Sequence, residues 1–111
     1  MNKDLKEKWV KRLRSGRWKQ ARKTLRRKPC GVKEAEAKPT DYAYCCLGVL
    51  CDIVDPKAWH GSAHGECVGS LTRETQAALG ISFVHEALLI GMNDDEKKSF
   101  REIADWIEAD L

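Results

Sequence analysis

Long apolar runs are missing from this chain. No stretch approaches the ~20 residues that a membrane-spanning helix needs, so no membrane association is expected. The opening Met1-Asn2-Lys3-Asp4-Leu5-Lys6 leads into further charge and not into an apolar core segment, which argues against a secretory signal and for the cytoplasm. No Cys-x2-Cys pair occurs. The five cysteines (Cys30, Cys45, Cys46, Cys51, Cys67) form an odd set without a disulfide-ladder spacing, so reduced thiols are expected. There is no internal repeat and no low-complexity tract. No cofactor motif stands out, and no pairing of a general base with a metal site is visible, so neither a cofactor nor hydrolase activity is expected.

What is present fits one domain. A chain of 111 residues has room for a single core, and 42% hydrophobic with 33% charged residues is ordinary globular composition. The net charge of +3 hides an asymmetry. Residues 1–28 hold 13 Lys and Arg against 2 Asp and Glu, whereas residues 29–111 hold 7 against 15. Two explanations are open. The basic third can meet a polyanionic partner, or the acidic C-terminal helix can lie across it.

Asn2 is placed to cap a helix in which Leu5, Trp9, Val10 and Leu13 recur at helical spacing, with Gly16 as its stop. The polar face of that helix is almost entirely Lys and Arg. Residues 17–25 alternate loosely, as a strand would, and residues 41–44 can return beside them. Pro29, Gly31 and Pro39 mark a mobile loop over 28–40. Residues 45–54 are the most apolar segment, a buried helix that stops at Asp55-Pro56, with Gly48 permitting close packing; a buried strand is the competing assignment. An irregular loop over 56–70 follows. Short helices are then expected over 72–79 and 84–90, closed by Gly80 and Gly91. Asn93-Asp94-Asp95 reads as a polar turn ahead of a last helix with the capping-box pattern Ser99-Phe100-Arg101-Glu102. Phe100, Ile103, Ala104 and Ile107 are its buried stripe, with Trp106 at the edge. The expected class is α+β, a mostly helical small single domain with one short β-hairpin around a central buried helix. Its parts are a basic helix and strand over 2–28, the loop over 28–40, the core helix over 45–55, the loop over 56–70 and C-terminal helices over 72–111.

Several segments also form a recognisable set: Arg14-Ser15-Gly16-Arg17-Trp18-Lys19-Gln20, then Tyr44-Cys45-Cys46-Leu47-Gly48-Val49-Leu50-Cys51, then Asn93-Asp94, and Ser99-Phe100 through Ile103-Ala104-Asp105 with Ile107-Glu108. In this order they resemble a group of small phage and prophage proteins of uncharacterised function. The Tyr-Cys-Cys-Leu-Gly-Val-Leu-Cys block is the most specific part. The group tends to have a glycine soon after Gln20, where this chain has Ala21-Arg22. The resemblance implies a viral accessory protein made inside a bacterium and acting against a host defence.

The first candidate site is the basic segment after Gly16. Guanidinium groups pair bidentately with phosphate oxygens and lysines supply point charge. Arg14, Arg17, Lys19 and Arg22 are the expected phosphate partners, and Trp18 offers a face on which a base can stack. Gln20, with Asn93 or Asp94, would read the base. Otherwise Trp18 is core, the arginines only keep the chain in solution, and the acidic turn caps the last helix. The start of the helix near Cys45 could favour a phosphate through its free N–H groups. A second candidate is a thiol nucleophile at Cys45 or Cys46, with His60, His64 or His85 as base and Asn93 or Asp94 orienting it. A third is zinc at His60, His64 and Cys67, with Cys30, Cys45 or Cys46 as the fourth ligand; neutral loop histidines are the plainer alternative.

The leading expectation is a non-enzymatic protein that sequesters a phosphate-bearing ligand such as a cyclic oligonucleotide immune signal. The alternatives are a DNA- or RNA-binding accessory protein, and an inhibitor that docks on a host defence protein. A homo-oligomer is compatible with the apolar content and is not required by it.

Overall fold

Helix α1 spans Lys3–Arg14 in the computed structural model, which describes residues 1–28, 31–56 and 73–111. It begins where the Asn2 side chain accepts a hydrogen bond from Leu5 N at 3.1 Å, satisfying one of the helix's orphan donors. Asp4 in the first turn and Lys11, Arg12 and Arg14 in the last complement the helix dipole. Trp9, Val10 and Leu13 face inward. Gly16 then takes φ +75°, a left-handed conformation that turns the chain sharply away.

Three two-residue strands follow: β1 (Lys19–Gln20), β2 (Arg26–Arg27) and β3 (Ala43–Tyr44). The antiparallel partner of β3 is β2, with Arg26 opposite Tyr44, and not the 17–25 segment expected to form the hairpin. β1 joins the other side of β3 in parallel, with Gln20 opposite Tyr44, so the strand order is β1-β3-β2. Inside the 28–40 loop, Glu34–Glu36 forms a 3-10 turn, and a second turn, Pro39–Asp41, leads into β3.

The chain then enters α2 (Cys46–Val54), whose residues Cys46 through Asp52 are all buried. A helix that is apolar nearly all round belongs at the centre of a core. α1 lies against it, and Trp9 Nε1 donates to Cys46 O at 2.8 Å. Gly48 is required here by space. A β-carbon on it would sit 1.8 Å from the carbonyl oxygen of Leu25, so the chain before β2 passes directly over the helix backbone.

α3 (Arg73–Leu79) closes at Gly80 with φ +71°, and α4 (Phe83–Ile90) packs against α2. Gly91 does not stop α4. It stays right-handed, at φ −59°, and the chain continues as a π-helical turn over Gly91–Asp95. Asn93 and its neighbours therefore belong to a helix end and do not cap the next one. The cap of α5 (Phe100–Asp110) is Ser99, whose hydroxyl accepts from Glu102 N while Glu102 reaches back to Ser99 N. That reciprocal pair holds the Glu102 carboxyl below its ordinary range. Phe100, Ile103, Ala104 and Ile107 are buried, as their spacing predicts, and α5 lies alongside α1.

The result is α+β, mostly helical, with α2 at its centre. The radius of gyration of 13.0 Å is that of one domain of this length. Among the described residues, no helix is long and apolar enough to cross a membrane.

Candidate functional site

Lys8, Lys11, Arg12 and Ser15 fall at positions i, i+3, i+4 and i+7 of α1 and its cap, one continuous stripe of the helix. This stripe lines a groove of about 650 Å³ together with Arg17, Trp18, Thr40 and Ile53. The groove is open along one side, and its volume falls within the ordinary range for ligand sites.

Trp18 is held by its neighbours. Its ring meets Tyr44 edge-on with centroids 5.4 Å apart, and the Arg12 guanidinium carbon lies 4.4 Å from its centroid. Arg12 is fixed in turn by an ion pair, with Nη1 at 2.9 Å from Asp52 Oδ2 on buried α2. A buried carboxylate thus orients the guanidinium, and the guanidinium orients the indole. Part of the indole stays accessible, because Trp18 is only half-buried. Arg12 uses one of its five donors on Asp52. Lys8, Lys11 and Arg17 are exposed and have no carboxylate partner among the described residues. The groove therefore presents uncommitted positive charge beside a fixed aromatic ring.

Of the residues expected to bind phosphate, Arg17 lines the groove. Lys19 is exposed on edge strand β1, outside the groove lining. Arg14 is used internally. Its guanidinium bridges Asp105 at 2.7 Å and Glu108 at 2.6 Å on α5, and the hydrogen bond to Asp105, followed by that to Glu108, raises its pKa further. Here the acidic C-terminal helix does lie across the basic N-terminal one. Arg22 turns toward the π-turn side, with Nη2 3.5 Å from Lys97 O.

The three residues expected to read a base are committed to one another. Gln20 Nε2 donates to Asn93 Oδ1 at 2.9 Å and to Lys98 O at 2.8 Å. Asn93, only 1% exposed, also accepts from Cys46 N at 3.3 Å. Its Nδ2 donates to Ala21 O at 2.9 Å and to Asp94 Oδ1 at 2.8 Å. Asp94 Oδ1 accepts from Lys23 N at 2.9 Å as well. Gln20, Asn93 and Asp94 form a clamp that joins the β1 segment, the π turn and the start of α2, because buried amides need every partner filled. The same bonds occupy the start of α2, where Gly48 N donates to Cys45 Sγ at 3.4 Å, so that helix end is not an anion site.

The thiols expected as nucleophiles, Cys45 and Cys46, are both buried, and burial pushes Cys45 up to about 12 and raises Cys46, which favours the neutral form. Cys46 Sγ instead contacts Leu89 O at 3.7 Å, and His85 packs edge-on against Trp106. His60, His64, Cys67 and Cys30 lie outside the described residues. Within the described residues, no group of three or more His, Cys, Asp or Glu is arranged to hold a metal ion.

Reading the sequence for candidates passed over Lys8, Lys11, Thr40 and Ile53. The i, i+3, i+4, i+7 spacing of the helical cations was visible, but Thr40 and Ile53 come to the groove from sequence-distant segments. A family model described as a domain of unknown function, DUF8296, matches residues 1–68. The chain belongs to the DUF8296 family. The matched part runs from the start of α1 past the end of α2, so it contains all eight residues that line the groove, while the π turn and α5 lie beyond it. No curated protein matches this DUF8296 chain, and no solved structure does.

Proposed function

We propose that this DUF8296 protein binds a phosphate-bearing ligand of the nucleotide class in the groove beside α1. The observation that carries this reading is the set of uncommitted cations Lys8, Lys11 and Arg17 around a half-open, prepositioned Trp18. Lysine ammonium groups supply point charge to phosphate oxygens, and the Arg17 fork can pair with two of them. The indole offers a stacking face at little ordering cost, because Arg12 and Tyr44 already hold it. Among the described residues the groove lining holds cations and an indole, so what these supply is charge and stacking. Capture of a cyclic oligonucleotide, the role suggested by the resemblance to phage proteins, falls within this reading, since such a ligand carries both phosphates and bases.

The test is a thermal-shift titration with mono-, di- and cyclic nucleotides. A ligand present at about 100 times its dissociation constant should add roughly 2.7 kcal/mol to the folded state. Lys8→Ala with Arg17→Ala, both at exposed positions, should abolish the shift without lowering the melting temperature of the free protein. A shift that survives this double substitution would place the ligand elsewhere, and no shift with any phosphate compound would remove the proposal.

A further inference from the structure

A second groove, of about 660 Å³, runs along the other flank of α1 and is lined by Lys3, Lys6, Glu7, Val10, Lys11, Arg14, Ser15 and Glu108. The two grooves share Lys11 and Ser15, which therefore stand on the ridge between them. We infer that the ligand is a single-stranded nucleic acid that crosses α1 at Lys11, with one part in each groove. This rests on the phosphate-binding proposal above and narrows it to one kind of ligand.

The dimensions favour a strand over a mononucleotide. A helix with its side chains is about 10–12 Å across, whereas successive phosphates along one strand of a duplex rise about 3.4 Å. Crossing from groove to groove thus takes several linked phosphates, which a mononucleotide does not have. Open grooves suit a chain that passes through, whereas an enclosing pocket would suit a compact ligand. Trp18 selects the strand type. A base stacks on an indole only when it is unpaired, and such stacking tolerates any sequence.

The two grooves are not equal. The Trp18 groove holds Lys8, Lys11, Arg12 and Arg17, with no acid in its lining among the described residues. In the second groove Glu7 and Glu108 face the strand alongside the cations, Arg14 is paired to α5, and Lys6 Nζ already donates to Glu108 O at 3.3 Å. Lys3 and Lys11 carry most of its attraction. The Trp18 groove is then the anchor and the second groove an extension.

Fluorescence anisotropy with labelled oligothymidylates of two and eight nucleotides, at 50 and 200 mM salt, tests this on the full chain. The octamer should bind roughly tenfold or more tighter than the dimer, as expected when a single strand fills a multi-nucleotide site. Four neutralised phosphates predict about a 50-fold loss of octamer affinity between those salt concentrations. Lys3→Ala with Lys6→Ala should weaken the octamer and leave the dimer unchanged, whereas Lys8→Ala with Arg17→Ala should weaken both. Equal affinity for dimer and octamer, or a cyclic dinucleotide binding more tightly than the octamer, would overturn the inference and leave the phosphate-binding proposal standing. Preference for the octamer's duplex form would overturn it as well. Binding of none of these, together with no thermal shift from any nucleotide, would remove both.

Discussion

Replacing Asn93 with alanine tests whether its amide holds the fold together or serves a ligand. Asn93 lies 1% exposed at the junction of the β1 segment, the π turn and α2. Its removal strips two buried backbone groups of a partner: the Cys46 N–H, bonded at 3.3 Å, and the Ala21 carbonyl, bonded at 2.9 Å. Gln20 keeps its bond to Lys98 O and Asp94 keeps the Lys23 N–H, so these two lose less. A buried backbone group left unsatisfied costs about 1–3 kcal/mol. The Cys46 bond is long, so Asn93→Ala should cost about 3 kcal/mol in total. That is a large share of the roughly 5–15 kcal/mol that stabilises a domain, and it should lower the melting temperature by roughly 10–15 °C. Asn93→Asp is the informative control. It keeps the size and the acceptor oxygen that takes the Gln20 and Cys46 bonds but turns a second oxygen toward Ala21 O and Asp94 Oδ1, so it should cost at least as much. Gln20→Ala, at a half-buried position, should cost about 1 kcal/mol. Urea unfolding with an unchanged m-value measures all three. In nucleotide titrations held well below the melting point, Asn93→Ala should keep the wild-type affinity. A stability change within about 0.5 kcal/mol, the range of an ordinary surface substitution, would refute the clamp. A selective loss of ligand binding would return Asn93 to the role of base reader.

Two further outcomes follow from the core. Gly48→Ala should cost about 3 kcal/mol or more or prevent folding, because its β-carbon would meet the backbone of Leu25, at 1.8 Å from O and 2.8 Å from C, which no rotamer change relieves; near-normal expression and melting temperature would show that the strand segment can move. Alkaline stability should fall early. Burial pushes Cys45 and Cys51 up to about 12 and raises Cys46, so above the unfolded thiol value of about 8.5 the unfolded state releases protons that the folded state retains. The stabilisation is complete below that pH and is lost as pH rises toward 12, by about 1.4 kcal/mol per pH unit for each thiol. Tyr44, also pushed up to about 12 by burial, acts in the same direction above pH 10. Circular dichroism melts between pH 8 and 11 would measure this, and a flat profile would mean the thiols ionise freely in the folded state.

The parts of the fold legible in the sequence are those that local chemistry decides. α1 and α5 announce themselves through caps and periodic apolar stripes, and α2 through a run too apolar for any place but the centre. The sheet left little trace, since two-residue strands are too short to show alternation and β1 pairs with β3 across more than twenty residues. The π turn was hidden by Gly91, a residue that commonly ends a helix but here keeps a right-handed φ of −59° and continues it.

The site divides along the same line, between charge that has a distant partner and charge that does not. Arg14 and Gln20 look like binding residues in sequence because they are polar and flank Trp18, and Asn93 and Asp94 because they form a polar turn. Yet most of their partners stand 47 to 94 residues away. Long-range pairs of this kind are set by packing and carry no local signature. Arg17 and Trp18 stay in the groove because, among the described residues, Arg17 is exposed and only part of Trp18 is covered. Lys8 and Lys11 joined them for the same reason, on a helix face that neither α2 nor α5 covers. Partners already used inside the molecule therefore separate charge that holds the fold from charge left exposed, and among the described residues that sorting leaves Lys8, Lys11 and Arg17 beside α1 without a carboxylate partner.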